Sequence, residues 1–166
     1  MGEDSQFDRH RLVIVRHAKS AWPDDVPDAA RPLNKRGRRD APAAGRRLRE
    51  RVGRVDLVVC SPAIRTRQTW QLMAAELDGA PDPVFDERIY AATCDTLLTV
   101  VQAIPDDVSS ALLVGHSPGV ADLVAALTGQ EVEMKTSAIA VLGLAGSWAD
   151  AAPGRATLIA HDTPRG

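Results

Sequence analysis

Short runs of β-forming residues alternate with helix-forming segments along this chain, and this alternation constrains its fold more than any other feature. Strands are predicted near 11–16, 55–60, 109–114, 138–143 and 155–160, and helices near 34–51, 62–78, 93–104 and 118–128. Such alternation predicts a mostly parallel sheet with helices on both faces, because parallel strands need crossover connections. The last two strands are separated only by residues 145–154, which favours a hairpin and one antiparallel edge. The expected fold class is therefore α/β, a three-layer α/β/α sandwich.

Two histidines follow directly on predicted strands. The apolar run 12–15 ends in Arg16 and His17, and the run 111–114 ends in Gly115 and His116. Ligands of open α/β sheets bind beyond the carboxyl ends of the strands. One histidine in such a position is usually a turn or core residue, but the repetition of the arrangement favours a functional site.

A third strand end carries an arginine. The run 55–60 leads into Ser61 and Pro62, which suit the N-cap and the first helical position, so a helix is predicted to begin there with Arg65 in its first turn. Backbone N–H groups and a guanidinium near the positive end of a helix can bind a phosphate. The alternative is a surface arginine on an amphipathic helix.

These motifs, taken in order, resemble the histidine phosphatase superfamily, with its phosphoglycerate-mutase-like fold, and specifically its SixA-type branch of phosphohistidine phosphatases. The resemblance covers most of the chain, in the segments 16–17, 31–37, 60–69, 115–116 and 136–140. Segments 31–33 (Arg-Pro-Leu) and 136–140 (Thr-Ser-Ala-Ile-Ala) point to the SixA-type branch. Mutases of this fold are longer, with insertions that form a lid, so the resemblance implies a phosphatase.

The resemblance also implies a mechanism. His17 would attack phosphorus and form a phosphohistidine enzyme, which water then hydrolyses. Arg16, Arg65 and His116 would hold the phosphoryl oxygens, on which negative charge spreads during transfer. The attacking nitrogen needs a free lone pair, and the two nearby arginines should keep His17 neutral by charge repulsion.

Three further residues enter through the resemblance. Arg31 and Ser20 are expected to contact the substrate phosphate. Glu87 lies where many relatives carry a glutamate that protonates the leaving oxygen, and it is the candidate general acid; the alternative is a solvated loop residue beside Arg88. No metal or other cofactor is implied, because arginines rather than carboxylates or thiolates accompany the histidines.

The expected substrate is phosphohistidine in a phosphorylated protein, which suggests a role in signalling. A small phosphomonoester is the first alternative, since an open pocket with few specificity elements would accept one. A phosphoprotein-binding module without turnover is a second alternative, from a different functional class.

Two other enzyme classes leave partial signatures. The segment 115–119 fits the G-x-S-x-G elbow of serine esterases, with Ser117 as nucleophile and Asp150 and His161 following. Pro118 counts against this interpretation, because it lacks the N–H that an oxyanion hole needs after the serine. Cys60 lies one position too close to Arg65 for the Cys-x5-Arg loop of tyrosine phosphatases, and a buried strand residue is expected.

The chain length of 166 residues predicts a single domain over 11–161, with loose tails at 1–10 and 162–166. Two cysteines give no disulfide framework, which suits the cytoplasm. No apolar run reaches the ~20 residues of a membrane span, so no membrane partner is expected. The sequence does not indicate an oligomeric state.

The segment 31–54 contains ten of the 20 Lys and Arg residues. It has no aromatic residues that could stack on bases, so a solvated helix face is expected rather than nucleic-acid binding. The alternative is that this face steers an acidic or phosphorylated partner towards the pocket. Pro42 lies inside the predicted helix and should kink or restart it, with Asp40 as a new cap.

Overall fold

The computed structural model describes residues 10–166 and contains a six-stranded sheet and four α-helices in that range. The strands are β1 (His10–Arg16), β2 (Leu57–Cys60), β3 (Val84–Phe85), β4 (Ser110–Gly115), β5 (Ile139–Leu144) and β6 (Ala156–Asp162). The helices are α1 (Lys35–Arg51), α2 (Ile64–Ala74), α3 (Cys94–Gln102) and α4 (Gly119–Thr128).

The sheet has the order β3-β2-β4-β1-β5-β6. The first four strands in this order are parallel, whereas β5 pairs antiparallel with both β1 and β6. The prediction of a mostly parallel sheet with an antiparallel hairpin at one edge is confirmed. Strand β3 is absent from the predicted elements because it is only two exposed residues long, too short to show a period.

Alternating side chains of the central strands pack into two cores. Leu12 and Ile14 of β1 join α3 and α4 on one face of the sheet. Val13 and Val15 lie on the other face of the sheet, where they pack with α1 and α2. Because successive side chains of a strand point to opposite faces, a fully apolar strand requires a helix layer on each side. The three-layer α/β/α sandwich is thus confirmed.

Helix α1 is continuous through Pro42, so the predicted restart with Asp40 as a new cap is wrong. Its N-cap is Asn34, whose side chain accepts a hydrogen bond from the backbone N–H of Gly37. Buried residues on both sides of the proline, including Ala41 and Leu48, pack the helix onto the protein. This packing outweighs the one backbone hydrogen bond that the proline removes.

The two helices that follow strands β2 and β4 begin later than predicted. Helix α2 begins at Ile64 with Ala63 as N-cap, although Arg65 still lies in its first turn. Helix α4 begins at Gly119, with Pro118 as its N-cap.

His10 and the last residues of the chain are tied into the fold. His10 is a buried residue of β1, while residues 1–9 lie outside the described part of the chain. Segment 162–166 begins in β6 and continues onto α1, where Gly166 N–H donates to the Asp40 carboxylate at 2.9 Å. Arg165 donates to Ser137 Oγ at 2.7 Å. The prediction of a loose C-terminal tail is therefore wrong, because a buried carboxylate anchors it. In residues 10–166, none of the helices has the length and apolarity to cross a membrane.

Candidate active site

The carboxyl ends of the three predicted strands lie side by side in the sheet. Strand β4 lies between β1 and β2, so the residues that follow all three strands become neighbours. The backbone N–H of His17 donates to the Gly115 carbonyl at 3.1 Å, and that of Ser61 donates to the Val114 carbonyl at 3.1 Å. These hydrogen bonds extend the sheet by one residue and fix the loops that carry the functional side chains.

His17 is a buried, neutral imidazole with a defined tautomer. Its Nδ1 lies 2.7 Å from the carbonyl oxygen of Ala18. A carbonyl only accepts, so Nδ1 carries the proton and Nε2 keeps its lone pair. Burial lowers the pKa of His17 from 6.5 to about 3, and repulsion from His116, Arg65 and Arg16 adds to the effect. The predicted neutral state is present at pH 7, but burial contributes more to it than the arginines do.

His116 faces His17, with the ring centroids 5.4 Å apart. Its Nε2 lies 2.7 Å from Ser61 Oγ, which itself accepts a hydrogen bond from the Ala63 N–H. Ser61 is fully buried, and within residues 10–166 Nε2 is the one side-chain or backbone acceptor in contact with its hydroxyl, so the hydroxyl donates to Nε2 and the neutral ring carries its proton on Nδ1. Burial, followed by the charge of Arg65, lowers the pKa of His116 to about 4.

Two arginines complete this set. Arg16 Nη1 donates to the Met134 carbonyl at 3.1 Å. Arg65, only 6% exposed, donates through Nη1 to the backbone oxygen of Asp28 at 2.7 Å and through Nη2 to its carboxylate at 2.9 Å. Among residues 10–166, Arg16 Nε, Arg65 Nε and His116 Nδ1 are buried donors without a hydrogen-bond partner. Buried donors are normally satisfied, so three of them in one place favour binding of an anion with several acceptor oxygens.

The predicted nucleophile and phosphate-binding residues line one cavity of about 220 Å³. The structure brings together Arg16, His17, Ser20, Arg31, Arg65 and His116 around this cavity. Arg31 donates to Ser20 Oγ and stacks on Trp22, with its guanidinium carbon 3.2 Å from the ring centroid. Exposed Lys19 and half-buried Thr136 also line the cavity and were not predicted.

A second cavity, of about 410 Å³, shares Arg65, His116 and Ser117 with the first. Asp28 and Tyr90 contribute its polar groups, and Tyr90 packs edge-on against the His116 ring at 5.5 Å. Tyr90 donates its hydroxyl proton to the Asp28 carboxylate at 2.6 Å.

Glu87, the predicted general acid, does not line either cavity. It is exposed at the start of a short 3-10 helix, Glu87–Ile89. This single turn buries Ile89 in the core and presents Tyr90, not Glu87, to the second cavity. The structure therefore gives no support to the prediction that Glu87 acts as the acid.

Sequence reasoning missed Asp28, Tyr90 and Ser61 as members of the site. Asp28 lies in a short 3-10 helix, Asp28–Ala30, far in sequence from Arg65 and Tyr90, which it contacts. Tyr90 is close to the segment that was singled out for Glu87, and Ser61 was assigned to helix capping. Their contacts with Arg65 and His116 are long-range, so no local spacing could have indicated them.

The structure lacks the arrangement of residues that a serine esterase or a tyrosine phosphatase needs. His161 Nε2 donates to the Glu133 carbonyl at 3.0 Å, and Asp150 accepts from Ser147, so neither is aligned with Ser117 as an esterase triad. Cys60 is fully buried in β2, as expected, and burial raises the pKa of its thiol to about 12, which keeps it unreactive.

The basic segment 31–54 is largely neutralised by acids. Most of its arginines form ion pairs within 4 Å, and the acids involved are Asp28, Asp40, Glu50, Asp56, Glu76, Asp78 and Asp162. Asp162, for example, accepts from both Arg47 and Arg51. This pairing favours the solvated helix face over the alternative of a strongly steering surface.

Comparisons with known proteins agree with this geometry. The sequence profile of the histidine phosphatase superfamily (branch 1) matches residues 12–92. An uncharacterized protein of Mycobacterium tuberculosis is 41% identical over 162 residues, which cover 91% of this chain and 100% of the relative.

Two solved structures have closely similar folds. A protein of Nakamurella multipartitia, provisionally named phosphohistidine phosphatase SixA, has a TM-score of 0.83 and 32% identity, covering 93% of this chain and 96% of that one. The protein histidine phosphatase SixA in complex with tungstate has a TM-score of 0.81 and 25% identity, covering 93% and 97%. The expected phosphoglycerate-mutase-like α/β fold is thereby confirmed, and the chain belongs to the histidine phosphatase superfamily, within its SixA-like branch of phosphatases.

Proposed function

We propose that this phosphatase removes the phosphoryl group from phosphohistidine in proteins, through a covalent phosphohistidine intermediate on His17. The observation that carries this proposal is the pairing of a neutral imidazole with buried donors. His17 has a free Nε2 lone pair, and the cavity beside it contains three buried donors without partners. A nucleophile next to a ready-made oxyanion site is what phosphoryl transfer requires.

In the first step, His17 Nε2 attacks phosphorus while the bond from phosphorus to the leaving group breaks. Arg16, Arg65 and His116 hold the phosphoryl oxygens through the donors that lack protein partners. In the second step, water attacks phosphorus and His17 leaves as a neutral imidazole, because Nδ1 already carries its proton. Neither step as proposed uses a metal ion, because arginines rather than carboxylate or thiolate ligands surround His17.

Two observations favour phosphohistidine over an alkyl phosphoester. Glu87 lies outside both cavities, and Asp28 is the only carboxylate among the described residues that line them. Hydrogen bonds from Tyr90 and Arg31 hold the pKa of Asp28 well below its usual range, so this group is not a proton donor at pH 7. An alkoxide leaves slowly without an acid, whereas an imidazole needs none.

The solved relatives support the same substrate class. One is a protein histidine phosphatase, and it binds tungstate, a tetrahedral oxyanion similar to phosphate. We propose a phosphorylated protein of a cytoplasmic signalling pathway as the partner. Cys60 and Cys94 are both free, which fits a reducing compartment.

The test compares wild type with His17→Asn. The asparagine amide can still donate to the Ala18 carbonyl but has no counterpart of Nε2, so it preserves the local hydrogen bond and removes the nucleophile. Phosphate release is measured without added metal from a phosphohistidine protein and from p-nitrophenyl phosphate. We also expect a brief reaction, quenched with alkali, to trap phosphate on wild type and not on the variant.

Each outcome selects one function. Fast, His17-dependent release from phosphohistidine supports the proposal. A preference for p-nitrophenyl phosphate would instead indicate a general phosphomonoesterase, and no release from either substrate would indicate a phosphoprotein-binding module. Full activity in His17→Asn would refute the covalent mechanism.

A further inference from the structure

We propose that the Asp28 carboxylate selects imidazole leaving groups, by accepting a hydrogen bond from the substrate ring nitrogen that does not carry phosphorus. Asp28 would thus determine specificity for phosphohistidine. This inference rests on the proposed function and extends it from the phosphoryl group to the leaving group.

The position of Asp28 relative to His17 is the first argument. His17 lines the smaller cavity, and Asp28 lines the larger one. The two cavities meet at Arg65, His116 and Ser117. An in-line displacement expels the leaving group on the side opposite the nucleophile. With the phosphoryl group held between Arg65 and His116, the leaving group enters the cavity that contains Asp28.

The hydrogen bonds of Asp28 are the second argument. Oδ2 accepts from Tyr90 Oη at 2.6 Å and from Arg65 Nη2 at 2.9 Å, and Oδ1 accepts from Arg31 Nη1 at 2.9 Å. These three donors keep the carboxylate ionised and fixed. A carboxylate oxygen can accept two hydrogen bonds, and the side chain is half exposed, so Oδ1 can receive one more donor from the cavity.

The chemistry of the substrate supplies that donor. In phosphohistidine one ring nitrogen carries phosphorus, and the other carries a proton when the ring is cationic. The His17–phosphorus bond forms while the substrate nitrogen–phosphorus bond breaks, and the electron pair of the broken bond stays on that nitrogen. The proton stays on the other nitrogen, so the ring leaves neutral. An ionised acceptor at this N–H favours the protonated ring, from which departure is easiest.

His17 provides an internal parallel. It becomes the leaving imidazole in the second step of the proposed reaction, and its own Nδ1–H donates to the Ala18 carbonyl at 2.7 Å. Asp28 would accept a hydrogen bond from the substrate ring, just as the Ala18 carbonyl accepts one from the His17 ring. Each half-reaction then expels an imidazole whose distal nitrogen is hydrogen-bonded to an acceptor.

The experiment uses Asp28→Asn in the full chain, with Asp86→Asn as the matched control. Asp86 is the N-cap of the same short turn that ends at Tyr90, but it pairs with Arg88 and lines neither cavity. We measure kcat/KM for a phosphohistidine protein and for p-nitrophenyl phosphate, whose nitrophenolate leaves without an N–H donor. Tungstate affinity reports whether the oxyanion site is intact.

We expect Asp28→Asn to lower kcat/KM for phosphohistidine about 10-fold to 100-fold more than for p-nitrophenyl phosphate, the range of a hydrogen bond to a charged group. Asp86→Asn should change neither. Equal losses on both substrates, accompanied by weaker tungstate binding, would overturn the proposal and make Asp28 a positioning residue for Arg65. Unchanged phosphohistidine turnover would also overturn it. A different result would refute the proposed function itself: wild type would cleave p-nitrophenyl phosphate through His17 but would not cleave phosphohistidine. The proposed role of Asp28 would then be refuted as well.

Discussion

The buried, neutral His17 predicts a specific dependence of protein stability on pH. In the unfolded chain a histidine titrates near 6.5, whereas in the folded protein burial lowers the pKa of His17 to about 3. Between pH 6.5 and about 3, His17 is therefore protonated in the unfolded state but not in the folded state. This difference stabilises the unfolded state, so the folded protein loses stability as the pH falls from 6.5 towards 3.

The size of the effect follows from the pKa difference. Each pH unit between the two pKa values is worth about 1.36 kcal/mol, so lowering the pH from 7.5 to 5 should destabilise the protein by about 2 kcal/mol through His17 alone. Other groups titrate in the same range, including His116. A comparison of wild type with His17→Asn removes their contribution, because these groups are present in both proteins.

The assay is urea unfolding at both pH values, followed by tryptophan fluorescence. Trp70 and Trp148 are buried, in the two cores on opposite faces of the sheet, so they report on loss of the whole fold. The buffer must contain no phosphate, because an oxyanion bound beside His17 would favour its protonated form. When the pH falls from 7.5 to 5, the unfolding free energy of wild type should decrease by about 2 kcal/mol more than that of His17→Asn.

Exposed His161 provides the control. His161→Asn removes a histidine from the surface and should leave the pH dependence close to that of wild type. An identical pH dependence in wild type and His17→Asn would refute the reasoning, since it would mean that His17 takes up its proton equally in both states.

Two further perturbations probe the site. Tungstate at about 100 times its Kd should raise the unfolding free energy of wild type by about 2.7 kcal/mol, and Arg65→Met should remove most of this gain in urea titrations; equal stabilisation of both proteins would mean that the anion binds elsewhere. Gly37→Ala would place a Cβ 2.1 Å from the Lys19 carbonyl oxygen in the loop after His17. We expect it to lower stability by about 1–3 kcal/mol and to reduce activity, whereas Lys35→Ala at the exposed first residue of α1 should do neither; a fully active Gly37→Ala enzyme would show that this close approach does not position the loop.

The parts of the site that the sequence predicts are those coupled to local structure. His17 and His116 follow apolar strands, and the parallel register of β1 and β4 places Arg16 opposite Gly115. A strand end and its next residue are readable from a short window, and fold topology brings the ends together. Asp28 and Tyr90 have no such signal, because their place depends on a hydrogen bond between residues 62 positions apart.

The errors in the prediction have a common physical origin. Pro42 was expected to interrupt α1 and the C-terminal segment was expected to be loose, and both expectations used local propensity alone. In the structure, the buried Asp40 carboxylate accepts from Gly166 N–H, and residues on both sides of Pro42 pack in the core. Tertiary contacts thus outweigh local preference where a buried charge must be satisfied or an apolar face covered.

The charge state of His17 could be predicted from the neighbouring residue types, but its main cause could not. Two arginines nearby correctly predicted a neutral ring, but a surface histidine beside the same arginines would keep most of its basicity because water screens their charge. Depth of burial and the Ala18 carbonyl are properties of the folded backbone, and they decide both the protonation and the tautomer. The position of His17 just beyond a buried strand therefore keeps its Nε2 lone pair free at neutral pH, as the proposed role of nucleophile requires.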